Sequence, residues 1–146
     1  MHIIKQVNDK KYEILPTTAD IGIIAYGKDI ITLFKNAAEG MFDLVCEMEN
    51  VESKQEEIVD VSGPNLEELL VAWLNELILL FDARGFLAKE YNITELNEKR
   101  LKAVIKGETL DTSKHAIKAG IKGATYHKLE VKKTGDLWRA QVIFDV

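Results

Sequence analysis

Residues 65–85 read NLEELLVAWLNELILLFDARG. Leu66, Leu69, Leu70, Trp73, Leu74, Leu77, Ile78, Leu80 and Phe81 fall at three- and four-residue steps, which gives a helix with a wide apolar face. Asn65, followed three residues later by Glu68, has the form of a capping box with Asn in place of Ser or Thr. Gly85 is a natural C-terminal stop. So apolar a helix is expected to pack on a sheet; a face left open for a partner is the alternative.

On its N-terminal side, Ser62-Gly63-Pro64 is a break, and Ile58 to Ser62 reads as a strand with Val59 and Val61 on one face. The polar segment Glu47 to Glu57 reads as a solvated loop or an exposed edge. Before it, Asp29 caps a second amphipathic helix over residues 30–47, with Leu33, Phe34, Ala37, Ala38, Met41, Phe42 and Val45 as its core face and Asp43 solvated. Ile21 to Gly27 and Lys11 to Leu15 are strands. Residues 2–7 pair with the latter across the turn chemistry of Asn8-Asp9-Lys10. Pro16 ends the Lys11 strand, because it cannot donate to a ladder.

On the C-terminal side, Phe86 to Asn92 and Lys99 to Gly107 read as strands. Gly107 to Gly120 has no clear period beyond a turn of helix at 112–117, and its Asp111, Lys114 and His115 mark a loop of the kind that carries function. Ile121 to Lys133 and Leu137 to Val146 form a hairpin around Thr134-Gly135-Asp136. Strands segregated around two main helices predict an α+β fold in one domain over residues 1–146, with a mixed or largely antiparallel sheet.

Composition narrows the function. The apolar runs are too short to span a membrane, and the N-terminus lacks the apolar segment of a signal peptide. The single cysteine, Cys46, excludes an internal disulfide, fits a reducing cytoplasm and reads as an inert core thiol. A net charge of −5 repels phosphate backbones, so cations and basic protein surfaces are the expected partners and direct nucleic-acid binding is not. Gly-rich phosphate loops, paired cysteines, helical His-Glu metal motifs and nucleophile elbows are missing from the sequence.

What remains is a set of carboxylates. Asp20 follows a proline at a chain reversal, and Asp145 ends the apolar run Gln141 to Phe144, one residue before the terminal carboxylate of Val146. If the two ends of the chain meet, they form an oxygen-only donor set suited to Ca²⁺, Mg²⁺ or Mn²⁺ rather than zinc. Taken alone, Asp20 is an ordinary turn or cap residue. A lone histidine such as His127 is weak grounds for catalysis.

At these residues the sequence resembles the archease family along nearly its whole length. Tyr12-Glu13-Ile14-Leu15 is followed by Thr18-Ala19-Asp20-Ile21-Gly22, then Asn36-Ala37-Ala38-Glu39-Gly40-Met41-Phe42-Asp43-Leu44 and Leu74-Asn75-Glu76-Leu77-Ile78. The C-terminal block follows as Ile121-Lys122-Gly123-Ala124-Thr125-Tyr126-His127, Leu129-Glu130-Val131 and the closing Phe144-Asp145-Val146. Two positions depart from the family pattern: Thr17 stands where a histidine is usual, and Gly123-Ala124 replaces the usual Ala-Val pair. The resemblance implies a divalent metal, usually calcium, held by Asp20, Asp145 and Val146, with Lys122 and His127 orienting that site or contacting a partner. It implies an activator, not an enzyme, whose partner is an RtcB-type RNA ligase. The ligase would be helped to load guanylate and turn over repeatedly in tRNA splicing and RNA repair. The rival expectations are a metal-dependent phosphohydrolase using Asp20 and Asp145 with His127 as base, and a chaperone-like module that binds through the apolar helix.

Overall fold

The computed structural model describes residues 10–15 and 20–146. The expected strand at 2–7 and the Thr17 position lie outside these. In chain order the elements are β1 (Tyr12–Leu15), β2 (Ile21–Gly27), α1 (Ile30–Val45), β3 (Gln55–Ser62), α2 (Leu66–Arg84), β4 (Phe86–Leu96), β5 (Arg100–Thr109), β6 (Gly123–Ala124), β7 (Glu130–Thr134) and β8 (Leu137–Asp145). The fold is α+β with antiparallel pairing throughout. The strands divide into two sheets. One runs β1-β2-β8-β6 with β7 also on β8, and the other runs β3-β5-β4. Each helix touches strands of both sheets, so the core lies between them.

The two helices are set by their caps and apolar stripes. Asp29 Oδ1 accepts from the Thr32 backbone N–H at 2.7 Å, and this bond holds the Asp29 carboxyl below the usual carboxylate range. Asn65 Oδ1 accepts from the Glu68 N–H at 2.9 Å, while Asn65 Nδ2 donates to the Glu68 carboxylate at 3.0 Å, so the predicted box is closed by side chains. Gly85, at φ 68°, ends α2 in the left-handed region and donates to the Leu80 and Phe81 carbonyls. The apolar face of α2 is packed: Leu69, Leu70, Trp73, Leu74 and Leu77 are fully buried. Trp73 Nε1 donates to the Phe34 carbonyl of α1 at 3.0 Å, and its ring meets Tyr91 of β4 edge-on. Among the described residues, no helix is long and apolar enough to cross a membrane.

Three sequence expectations shift. β3 starts at Gln55 rather than Ile58, because its ladder bonds are main-chain and need no apolar alternation: Glu56 is exposed near Lys106, and Glu57 is half-buried against Arg84. Asp43 is half-buried rather than solvated, and burial pushes its carboxyl up. The run 121–133 is two strands, not one. Lys128 adopts φ 52° between them, and Thr125 turns the chain there by donating through both N and Oγ1 to the Ile143 carbonyl.

The loop of Asp111, Lys114 and His115 is built around buried Glu108. The Glu108 carboxylate accepts from the Glu52 N–H at 2.6 Å, from Lys114 Nζ at 3.0 Å, and faces His115 Nε2 at 3.3 Å. His115 Nδ1 accepts from the Asp111 N–H, so the ring hydrogen sits on Nε2, toward Glu108. These groups bind one another, and the cluster anchors the loop onto the sheet. The Glu52 N–H is the largest of the causes that hold the Glu108 pKa at about 2, against an ordinary 4.5. A carboxylate depressed on folding adds stability above pH 4.5 that is lost as pH falls toward 2. Glu108→Gln is therefore expected to lower the urea midpoint at pH 7, with the gap from the native protein closing between pH 4.5 and 2. A gap that stays constant over that window would show that Glu108 is not the titrating anchor.

Candidate functional site

β2 and β8 form the centre of the larger sheet. Their register pairs Ile21 with Phe144, Gly22 with Ile143 and Ile23 with Val142. Asp20 lies one residue before this register on β2, and Asp145 one residue after it on β8. The two acids, 125 positions apart in sequence, are thereby carried to the same end of the β2–β8 pair. Ile23, Val142 and Phe144 are buried, which fixes the register: a slip of one residue would turn this apolar set to the opposite face. Asp145 and Val146 are exposed, as is Asp20.

The other side of β8 is lined by the segment from Ile121 to His127. β6 pairs Gly123 with Asp145 and Ala124 with Phe144, and the Lys122 N–H donates to the Asp145 carbonyl at 2.7 Å. Lys122 is therefore placed beside Asp145, with its side chain exposed. His127 lies further along, past Thr125, in the turn before β7. Its backbone N–H donates to Thr125 Oγ1 at 3.3 Å, and among the described residues no hydrogen bond or ion pair joins its ring to Asp145. Tyr126, between them, is an exposed aromatic at the same end.

Sequence reasoning passed over Asn75 as a positioning residue. It projects from α2, and its Oδ1 accepts from the Ala124 N–H at 2.8 Å, tying β6 to the helix beside the carboxylates. An added Cβ at Gly123 would sit 3.3 Å from that oxygen, so a small residue there suits the close approach of β6 to α2. The available signal was the polar pair Asn75-Glu76 inside an otherwise apolar helix run, Leu70 to Leu80.

Asp20 and Asp145 are exposed carboxylates, and oxygen donors of this kind suit a hard divalent cation. Among the described residues no three His, Cys, Asp or Glu side chains gather in a metal-ligating group.

Comparison with known proteins agrees with this architecture. Residues 12–146 match the model of the archease protein family (MTH1598/TM1083). Protein archease of Methanosarcina mazei is 38% identical over 141 residues, covering 94% of this chain and 97% of that protein. Protein archease of Pyrococcus abyssi is 37% identical, covering 94% of this chain and 99% of that protein. The solution structure of Methanobacterium thermoautotrophicum protein 1598 superposes with a TM-score of 0.79 at 31% identity, over 93% of this chain and 99% of that one. A crystal structure from Thermotoga maritima, of an archease described as a possible chaperone, shares the fold with a TM-score of 0.60 at 20% identity. With the family model matched from β1 to the last residue, this chain belongs to the archease family.

Proposed function

We propose that this protein activates an RtcB-type RNA ligase, acting as a protein cofactor in the ligase's guanylylation and repeated turnover in tRNA splicing and RNA repair. The observation that supports the reading is the β2–β8 register, which carries Asp20 and Asp145 to the same end of the two paired strands. Asp20, Asp145 and the Val146 terminal carboxylate would hold a divalent cation, Ca²⁺ first, with Mg²⁺ or Mn²⁺ as substitutes. Bound there, the cation supplies fixed positive charge to a polyphosphate. The chain's own part is to present these carboxylates on a rigid strand end and to flank them with Lys122, His127 and Tyr126 as contacts for the ligase. An acidic tip on a net-acidic protein is drawn toward a basic, metal-bearing cleft. The rival that docks a partner through the α2 apolar face loses support, because that face is packed in the core.

The test is RNA ligation with the ligase held well below substrate. GTP and Mn²⁺ are supplied, and ligase guanylylation is followed in parallel. The native protein is expected to convert single turnover into multiple turnover. Asp145→Lys should abolish that gain, a loss of about tenfold or more in product per ligase, with an unchanged circular dichroism spectrum. Full activation by Asp145→Lys sinks the reading. Phosphate-ester turnover by the purified protein alone would support the phosphohydrolase instead.

A further inference from the structure

The opposite end of β2 and β8, about 20 Å from the carboxylates at 3.3 Å per residue, carries the reverse charge. A cleft of about 870 Å³ opens there between the start of β1, the end of β2, the first turns of α1 and the β7–β8 turn. Lys10, Lys11, Lys28 and Arg139 line it, against the single carboxylate of Asp136 and one aromatic residue, Tyr26. In a chain of net charge −5, the lining itself carries four cations against one carboxylate among the described residues. It is a concentration of cations that the sequence does not show, because they come from three separate segments.

From this geometry we infer that the cleft binds a phosphate-bearing nucleotide, its phosphates on Lys10, Lys11, Lys28 and Arg139 and its base against Tyr26. The volume is that of a pocket for a whole small ligand, in the range of about 300–1,000 Å³, and far exceeds what a single ion needs. Lys28 enters no ion pair among the described residues, so its charge is available to a ligand. The other three cations are held at the rim by surface pairs: Lys10 with Glu13 at 2.8 Å, Lys11 with Glu39 at 3.3 Å and Arg139 with Glu130 at 2.6 Å. Partly exposed pairs of this kind are weak, and a multivalent phosphate competes well for them, above all for the forked guanidinium of Arg139. Asp136 opposes an anion, but it sits in the two-residue turn after Thr134, in water, where its charge is well screened. The shared chemistry, phosphate on a nucleoside, comes either from a free nucleoside triphosphate or from the end of a single-stranded polynucleotide.

The experiment titrates the full chain with a nucleoside triphosphate, a short single-stranded oligoribonucleotide and inorganic tripolyphosphate, followed by amide NMR shifts and repeated at raised salt. Shifts are expected at Tyr26, Gly27, Lys28 and Arg139, with affinity falling as salt rises. One of the two nucleosidic probes should bind more tightly than tripolyphosphate. If it is the triphosphate, the ligand is a free nucleotide; if the oligoribonucleotide, a strand end. Lys28→Glu combined with Arg139→Glu should weaken binding about tenfold or more. Lys99→Glu combined with Lys54→Glu, a reversal of equal charge at residues that do not line the cleft, should change it less than about twofold. If the double reversal unfolds the β7–β8 hairpin, the exposed Lys28→Ala carries the same test with a loss of about threefold. Absence of binding by all three probes overturns the inference. So does binding indifferent to Lys28, or tripolyphosphate binding as tightly as both others.

Discussion

Gly107→Ala is expected to cost about 3 kcal/mol or more and to leave little folded protein at 37 °C, out of a total stability on the order of 5–15 kcal/mol. Gly107 lies in the middle strand of the smaller sheet, facing Ala88 of β4 and Gln55 of β3. A Cβ built on it would overlap the Leu87 carbonyl oxygen, and would stand 2.8 Å from the Leu87 carbonyl carbon and 3.1 Å from the Ala88 Cα. All three are backbone atoms of the neighbouring strand, so no rotamer change relieves the clash. The register between β4 and β5 shifts just here, between Ala88 and Glu90, and the missing side chain is what lets the irregular strand come so close. Gly107 is also bound on its other side, its carbonyl accepting from the Lys54 N–H at 2.9 Å. Moving β5 away would therefore pull on β3. Gly120 supplies the control: nothing lies within 4 Å of its added Cβ, so Gly120→Ala should stay within about 0.5 kcal/mol of the native protein. Urea midpoints of the two variants decide it. A Gly107→Ala shift as small as that of Gly120→Ala would mean that the two strands can separate freely.

How far the sequence leads differs from element to element. The helices were legible because their cores repeat at 3.6 residues and their caps are local: Asp29 with Thr32, Asn65 with Glu68, and Gly85. The start of β3 was not, since Gln55, Glu56 and Glu57 carry no apolar alternation, and a ladder made by the backbone leaves little compositional trace. The division into two sheets depends on pairings such as β3 with β5 and β2 with β8, which join residues far apart in the chain. Asp20 and Asp145 could be singled out as acids at strand ends, while the register that carries both to one end of the β2–β8 pair could not. The part played by Asn75 appears only when α2 and β6 are in contact, because an amide in a helix gives no sign of the backbone N–H it will accept from. The basic cleft was hidden for a similar reason. Net charge averages over the whole chain, whereas Lys11, Lys28 and Arg139 are gathered by strand order.

Extending the chain past Val146 by a few neutral residues is expected to reduce affinity for Ca²⁺ or Mn²⁺ at least tenfold, about 1.4 kcal/mol, with little change in Tm. The proposed site takes its third donor from the terminal carboxylate, and an extension turns that anion into a neutral amide carbonyl. The two side-chain carboxylates alone leave a hard cation mostly to water, so losing one of three charges weighs heavily on affinity. Folding has little at stake here. Asp145 and Val146 are exposed, and Asp145 is held through its backbone, paired to Gly123 and accepting from the Lys122 N–H. Asp145→Asn keeps those main-chain bonds and removes a different charge, so it should weaken metal binding to a similar degree. Isothermal titration of the native, extended and Asp145→Asn chains, each with a melting curve, separates the possibilities. Equal losses in the two variants at constant Tm fit a shared three-carboxylate site. An extended chain that binds the cation as tightly as the native one removes Val146 from the ligand set. Any activation of a ligase would then have to come from Asp20 and Asp145 acting directly on the partner's own metal.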